Sequence, residues 1–95
     1  MPWYRCLILG EHFPGELIGQ TRAVGFYVNR FVEALDPDQA AQEALAELHR
    51  EERLGLAEGT EFPGNSAVRF EKIVEVPFAR VPSRPQGFVW FIQGE

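Results

Sequence analysis

The chain has 95 residues, of which 45% are hydrophobic and 13% aromatic, and this composition is typical of a single folded domain rather than a disordered segment. Fourteen acidic and nine basic side chains give a formal net charge of −5, and Lys72 is the only lysine. This charge disfavours nucleic acids and anionic membranes as partners, because both attract basic surfaces. The sequence contains neither an apolar run of about 18 residues nor an N-terminal signal peptide, so we expect a cytoplasmic protein.

The first predicted element is a strand from Trp3 to Leu9, which is mainly apolar on both faces. Such a strand is expected inside a sheet rather than at its edge. Cys6 lies within this apolar run and is interpreted as a small buried side chain. The following segment, Gly10 to Arg22, is long for a hairpin connection and is either a functional loop or a structural or disordered one.

A second strand is predicted over Ala23 to Leu35, and it leads almost directly into an amphipathic helix predicted over Asp36 to Leu54. Asp36 is a suitable N-cap, Pro37 fits the first helical position, and Gln39 can complete a capping box. The apolar stripe of the helix recurs at helical spacing and is mostly alanine: Ala41, Ala44, Leu45 and Leu48. A helix with so small a stripe needs a sheet to lie on.

Two further strands are predicted over Ala67 to Val76 and Gly87 to Ile92, and a proline-rich segment connects them. The order β-β-α-β-β favours an α+β fold in which two hairpins form an antiparallel-rich, four-stranded sheet with one helix packed on one face. We expect a single α+β domain over residues 1–95.

One helix cannot cover both faces of such a sheet. Several apolar side chains of the strands are therefore candidates for the uncovered side: Trp3, Leu7, Tyr27, Phe31, Val89 and Phe91. Soluble monomers rarely expose a large aromatic patch, so we predict that this side is the interface of a homodimer. The alternative is that loops of the same chain fold back over it.

Residues 25–45, GFYVNRFVEALDPDQAAQEAL, form a strand, an acidic cap and an alanine-rich helix. This run resembles a pattern in small uncharacterised bacterial α+β proteins, and it is similar to the strand-helix step of ferredoxin-like and HicB-like domains. The resemblance implies a sheet strand that leads into one packing helix, and it assigns no functional residue. A HicB-type antitoxin usually also carries a DNA-binding segment, which is not visible in this sequence.

Few side chains offer catalytic or ligand-binding chemistry. Glu11 and His12 place a base beside a carboxylate, the minimum for proton transfer. If two of the arginines Arg5, Arg22, Arg30 and Arg69 converge with Tyr27 and Asn29, they could bind an anion or a carboxylate. The alternative is that these arginines are solvated charges of the outer face. With only two histidines and one cysteine we expect no metal site, and no glycine pattern predicts a nucleotide cofactor.

The sequence therefore favours a non-catalytic, dimeric protein-interaction module with a regulatory or accessory role and an as yet unidentified protein partner. The alternative is a small ferredoxin-like enzyme or anionic-ligand binder. In that alternative the segment from Gly10 to Arg22 closes over a pocket, His12 acts as a base, and Arg22 or Arg30 holds the anion.

Overall fold

The computed structural model describes residues 1–51, 66–84 and 87–93. Within these ranges the chain forms four strands and one α-helix: β1 (Trp3–Phe13), β2 (Val24–Glu33), α1 (Pro37–His49), β3 (Ala67–Val76) and β4 (Val89–Ile92). All strand pairs are antiparallel, and α1 packs against β1, β2 and β3. The predicted α+β class, with one helix on a four-stranded antiparallel sheet, is confirmed.

The strands lie side by side in the order β3-β1-β2-β4. The β1–β2 hairpin forms the centre of the sheet, and β1 is internal, as its two apolar faces predict. The last two strands do not pair with each other: β3 pairs with β1, and β4 pairs with the first part of β2. The second hairpin expected from the order of the elements is therefore not formed, because β3 and β4 are the two edge strands of the sheet.

Helix α1 begins where the sequence predicts. The Asp36 side chain accepts a hydrogen bond from the Gln39 N–H at 2.8 Å, and Gln39 Oε1 accepts one from the Leu35 N–H at 2.6 Å. The helix ends at His49, before the predicted Leu54, and residues 52–54 lie outside the described part. In the described ranges there is no helix with the length and apolarity needed to cross a membrane.

The hydrophobic core lies between α1 and one face of the sheet. Ala40, Ala44 and Leu48 are fully buried on the helix. Because two of these three side chains are alanines, the helix approaches the sheet closely. The facing positions of the two central strands complete the core: Tyr4, Cys6, Ile8, Phe26, Val28 and Val32.

An aromatic cluster extends this core toward the end of the sheet that carries β4. The Phe26 ring lies 5.1 Å from Phe13, 4.9 Å from Phe88 and 5.3 Å from Trp90, measured between ring centroids. These tilted and edge-on arrangements are the ones that aromatic pairs prefer. The cluster holds the short strand β4 against the centre of the sheet.

The segment predicted as a long loop, Gly10 to Arg22, is largely structured. Strand β1 continues to Phe13, whose side chain is fully buried, after a bulge in its pairing with β2. A 3-10 turn follows at Gly15–Ile18, and its side chains Leu17 and Ile18 pack against the core. The segment is therefore ordered, and a functional role for it stays a prediction.

Candidate binding surface on the open sheet face

The second face of the sheet is turned away from α1, and we call it the open face. Residues opposite each other on neighbouring strands point to the same side, so the register of the sheet defines the rows of this face. From one end these rows are Glu33-Trp3-Val76, Phe31-Arg5-Val74, Asn29-Leu7-Lys72 and Val89-Tyr27-Leu9-Arg69. Phe91 joins the same face, because its ring occupies the space that a Cβ at Gly25 would need.

The register thus brings together on one face all six apolar residues that were expected on the uncovered side. This face is not sealed: Tyr27 is 39% exposed and Val89 is 66% exposed. Trp3, Leu7 and Phe31 are half-buried. The open face is therefore a largely apolar surface from which water is only partly excluded.

The connection between β3 and β4 covers one end of the open face. Phe78 lies against Trp3, with ring centroids 5.8 Å apart, and is itself 70% exposed. Residues 81–84 line a cavity of about 210 Å³ that reaches from Trp3 and Phe31 on the open face to Arg30 and Glu47 on the helix side. The alternative to a dimer was that the chain folds back over this face. The connection after β3 does so at this end, whereas the end with Tyr27 and Val89 remains exposed.

A second cavity, of about 250 Å³, opens on the same face. It combines two arginines with three apolar side chains: Arg5, Arg80, Phe31, Val74 and Val76. The Nε atom of Arg5 is buried, and it has no hydrogen-bond partner in the described part of the chain. Since none of the residues that line this cavity is acidic, its charge is positive.

Arg30 occupies the other face of β2 and is only 6% exposed. Its Nη2 lies 3.1 Å from Glu51 Oε2, its Nε lies 3.8 Å from Glu47 Oε1, and its guanidinium lies 5.5 Å from the centroid of the Phe88 ring. Burial raises the pKa of the Glu47 carboxyl, and the charge of Arg30 partly opposes this rise. The chain thus supplies partners for its own buried cation, as buried charges require.

The residues considered as an anion site are divided between the two faces of the sheet, although Asn29 and Arg30 both line the cavity of about 210 Å³. Tyr27 and Asn29 belong to the open face, whereas Arg30 faces α1. Arg22 is exposed and precedes β2. Sequence reasoning missed the pairing of Arg30, although its place between the inward-facing Val28 and Val32 signals a buried charge that needs carboxylates.

Glu11 and His12 lie in the bulge at the end of β1 rather than in a loop. His12 has a left-handed backbone with φ of 60°. Its N–H donates to Gln93 Oε1 at 2.6 Å, and its carbonyl oxygen accepts from Ser66 Oγ at 2.7 Å. Glu11 lies 3.9 Å from Arg69 Nε. These contacts fix the shape of the bulge, and a role of the pair in proton transfer stays a prediction.

Cys6 is completely buried beneath α1, and its Sγ donates to the Ala40 carbonyl oxygen at 3.9 Å. Burial raises the pKa of this thiol to about 11, and the nearby Glu47 contributes to the rise. At neutral pH the sulfur is thus a protonated thiol and a poor nucleophile. Across the described ranges, no group of three or more histidine, cysteine, aspartate or glutamate side chains is placed to hold a metal ion.

The open face is the feature of this fold that is best suited to contact with another molecule. The similarity of residues 25–45 to ferredoxin-like and HicB-like domains stays a prediction. Comparisons of the chain with protein-family models, with curated proteins and with solved structures give no match.

Proposed function

We propose that this chain is a non-catalytic protein-interaction module with a regulatory or accessory role, and that it forms a weak homodimer through its open face. One observation carries the proposal. The register of the sheet places apolar and aromatic side chains from all four strands on one surface, where α1 cannot cover them. Burial of such a surface against a second copy removes apolar area from water, which is the main driving force for association.

The size of the open face supports a weak dimer rather than an obligate one. Strands spaced about 4.8 Å apart, with a rise of about 3.3 Å per residue, give the face a projected area of roughly 500 Å². That is near the upper end of the apolar patch that monomers commonly expose. Because the connection after β3 already covers one end of each face, two copies bury at most roughly 1,000 Å² in total, which is the range of weak complexes. We therefore expect a dissociation constant in the micromolar range.

The charges of the open face favour a second copy as the occupant. A symmetric dimer places each part of a surface against another part of the same surface, so the surface must complement itself. Arg5 and Lys72 lie in its middle rows, whereas Glu33 lies at one end and Glu11 toward the other. Glu33 and Glu11 each lie within 4 Å of a cation of their own chain, so Arg5 or Lys72 of a second copy would join these existing ion pairs.

The mass of the protein in solution tests this proposal. We expect light scattering after size exclusion to show a mass that rises from monomer to dimer between about 1 μM and about 1 mM protein. Leu7→Glu places a carboxylate at the centre of the open face and should give a monomer throughout this range. The matched control, Leu35→Glu, changes an exposed leucine beside the helix cap and should dimerise like the wild type.

A wild-type protein that stays monomeric over the whole range would overturn the proposal. Equal dimerisation of the Leu7→Glu and Leu35→Glu variants would overturn the assignment of the interface to the open face. Far-UV circular dichroism of both variants separates loss of the dimer from loss of the fold.

A further inference from the structure

We infer that the cavity between Arg5 and Arg80 is a binding site for a small carboxylate with an apolar tail. This site goes beyond the proposed dimer, because its occupant is a small molecule and its chemistry is present in one copy of the chain. Arg5, Arg80 and three apolar residues line it on the open face, near the end that the connection after β3 partly covers.

The unsatisfied donor of Arg5 is the first reason. Its Nε is buried and finds no acceptor among the described residues. A buried donor without a partner costs about 1–3 kcal/mol, more when it is charged. A carboxylate can accept two parallel hydrogen bonds from one guanidinium, which is the geometry that arginine favours.

The second reason is that the acidic groups of the open face have other cationic neighbours. Glu33 lies 3.8 Å from the N-terminal ammonium group. Glu11 and Glu71 both lie within 4 Å of Arg69 Nε, at 3.9 and 3.7 Å. The positive charge of Arg5 and Arg80 therefore has no carboxylate of the described chain in its own cavity, in contrast to the charge of Arg30.

The walls of the cavity define the rest of the ligand. Phe31, Val74 and Val76 offer apolar surface beside the two cations. A strongly hydrated anion such as phosphate gains little from such walls, whereas the ring or alkyl group of an organic acid gains by leaving water. The volume of about 250 Å³ is slightly below the usual range for ligand pockets, so it suits an acid as small as benzoate.

Both cations are held by regular structure. Arg5 belongs to the central strand β1 and is paired with Phe31 on one side and Val74 on the other. Arg80 ends the 3-10 turn after β3, where its N–H donates to the Pro77 carbonyl oxygen at 2.9 Å. A binding site on rigid elements loses little conformational entropy when it takes up a ligand.

Titration of the isotope-labelled protein with benzoate, benzamide and phosphate tests the site by amide NMR. We expect benzoate to give saturable shifts that centre on Arg5, Phe31, Val74 and Arg80. Benzamide has the same ring but no charge, and we expect it to bind at least about tenfold more weakly. Phosphate, which has the charge but no apolar part, should give no saturable shift.

Variants separate the cavity from the rest of the surface. Arg5→Met keeps an unbranched chain and removes the cation, and we expect at least a tenfold loss of benzoate affinity. Arg80→Met, outside the strands, should also weaken benzoate binding. It replaces Arg5→Met as the test variant if the Arg5 variant does not give the NMR spectrum of a folded protein. Arg84→Met, which changes an arginine of the 210 Å³ cavity, is the matched control and should bind benzoate unchanged.

Three results would overturn the inference. They are no saturation by benzoate, equal binding of benzoate and benzamide, and equal binding of benzoate and phosphate. The dimer is tested apart from the site, because its readout is the mass of the protein. If the protein is a monomer and binds benzoate, the site is supported and the dimer is refuted. If it is a dimer and benzoate does not shift its amide signals, the dimer is supported and the site is refuted. If both hold, benzoate should shift the mass toward the monomer, because ligand and second copy occupy the same face.

Discussion

The two faces of this sheet are made by the same strands but lie in different environments. Phe26 and Tyr27 are neighbours in β2, yet Phe26 is fully buried among aromatic rings on the helix side whereas Tyr27 keeps more than a third of its surface exposed on the open face. The difference arises because one alanine-striped helix can approach and seal only one side. Side chains of similar character thus serve the stability of the fold on one face and remain available for contact on the other.

The charges of the two faces differ in the same way. Arg30, on the helix side, is accompanied by Glu47 and Glu51 from the end of α1 and the following residues. Arg5, on the open face, has a buried Nε with no acceptor in the described chain. Arg30 is therefore a structural cation, and Arg5 is the cation that we propose to bind a ligand.

The largest expected effect is a difference in stability between two leucine-to-alanine variants, one on each face of the sheet. Leu48→Ala removes a fully buried side chain from the core and should lower the free energy of unfolding by about 3 kcal/mol, because transfer and cavity costs add. Leu7→Ala makes the same change at a half-buried position of the open face and should cost only about 1 kcal/mol. Urea denaturation of dilute protein measures both values, and equal losses would show that the faces are equally well packed.

A smaller effect is expected from one arginine on each face. Arg30→Met removes the cation that lies within 4 Å of both Glu47 and Glu51 and should cost about 1–2 kcal/mol, because both carboxylates are only partly exposed. Arg5→Met removes an unsatisfied donor and should cost close to nothing. Urea denaturation at neutral pH provides the comparison, and a larger loss for Arg5→Met would contradict the assignment of Arg30 as the structural cation.

The pH dependence of the stability lost in the Arg30→Met variant tests whether charge pairing causes that loss. Burial holds the pKa of Glu47 above its ordinary value, so protonation of this carboxyl on acidification favours the folded state. Its ionisation becomes more costly when Arg30 is removed. The destabilisation by Arg30→Met should therefore shrink as the pH falls through the range in which the Glu47 carboxyl takes up its proton. A constant difference between neutral pH and about pH 4 would show that the charge pairing contributes little.

The parts of the fold that depend on local chemistry could be predicted from the sequence. The start of α1 followed from Asp36 and Gln39, and the membership of the open face followed from alternation along the strands. The extent of β1 could not be predicted, because Gly10, Pro14 and Gly15 are typical of a loop. The bulge at His12, with its left-handed backbone, is visible only in the structure. A bulge keeps the chain in the sheet although its residues resemble those of a turn.

The order of the strands and the partners of Arg30 could not be predicted for a different reason. Both depend on contacts between segments that are distant in sequence. Sequential strands usually pair, yet here β3 and β4 lie on opposite sides of the central hairpin. The cavity of Arg5 and Arg80 depends on the same long-range placement, since the start of β1 meets the end of β3 only in the folded sheet.

The last prediction concerns the labelling of Cys6 and uses both leucine variants again. Its thiol has a pKa raised to about 11 and lies beneath α1, so at about pH 8 a disulfide reagent should reach it only when the core opens. Labelling should then follow the equilibrium between closed and open forms. A loss of about 3 kcal/mol makes Leu48→Ala react about a hundredfold faster than the wild type, and Leu7→Ala only about fivefold faster. Labelling of the native protein at the rate of the urea-unfolded chain would show that the helix side is not sealed, and the contrast between the two faces would lose its basis.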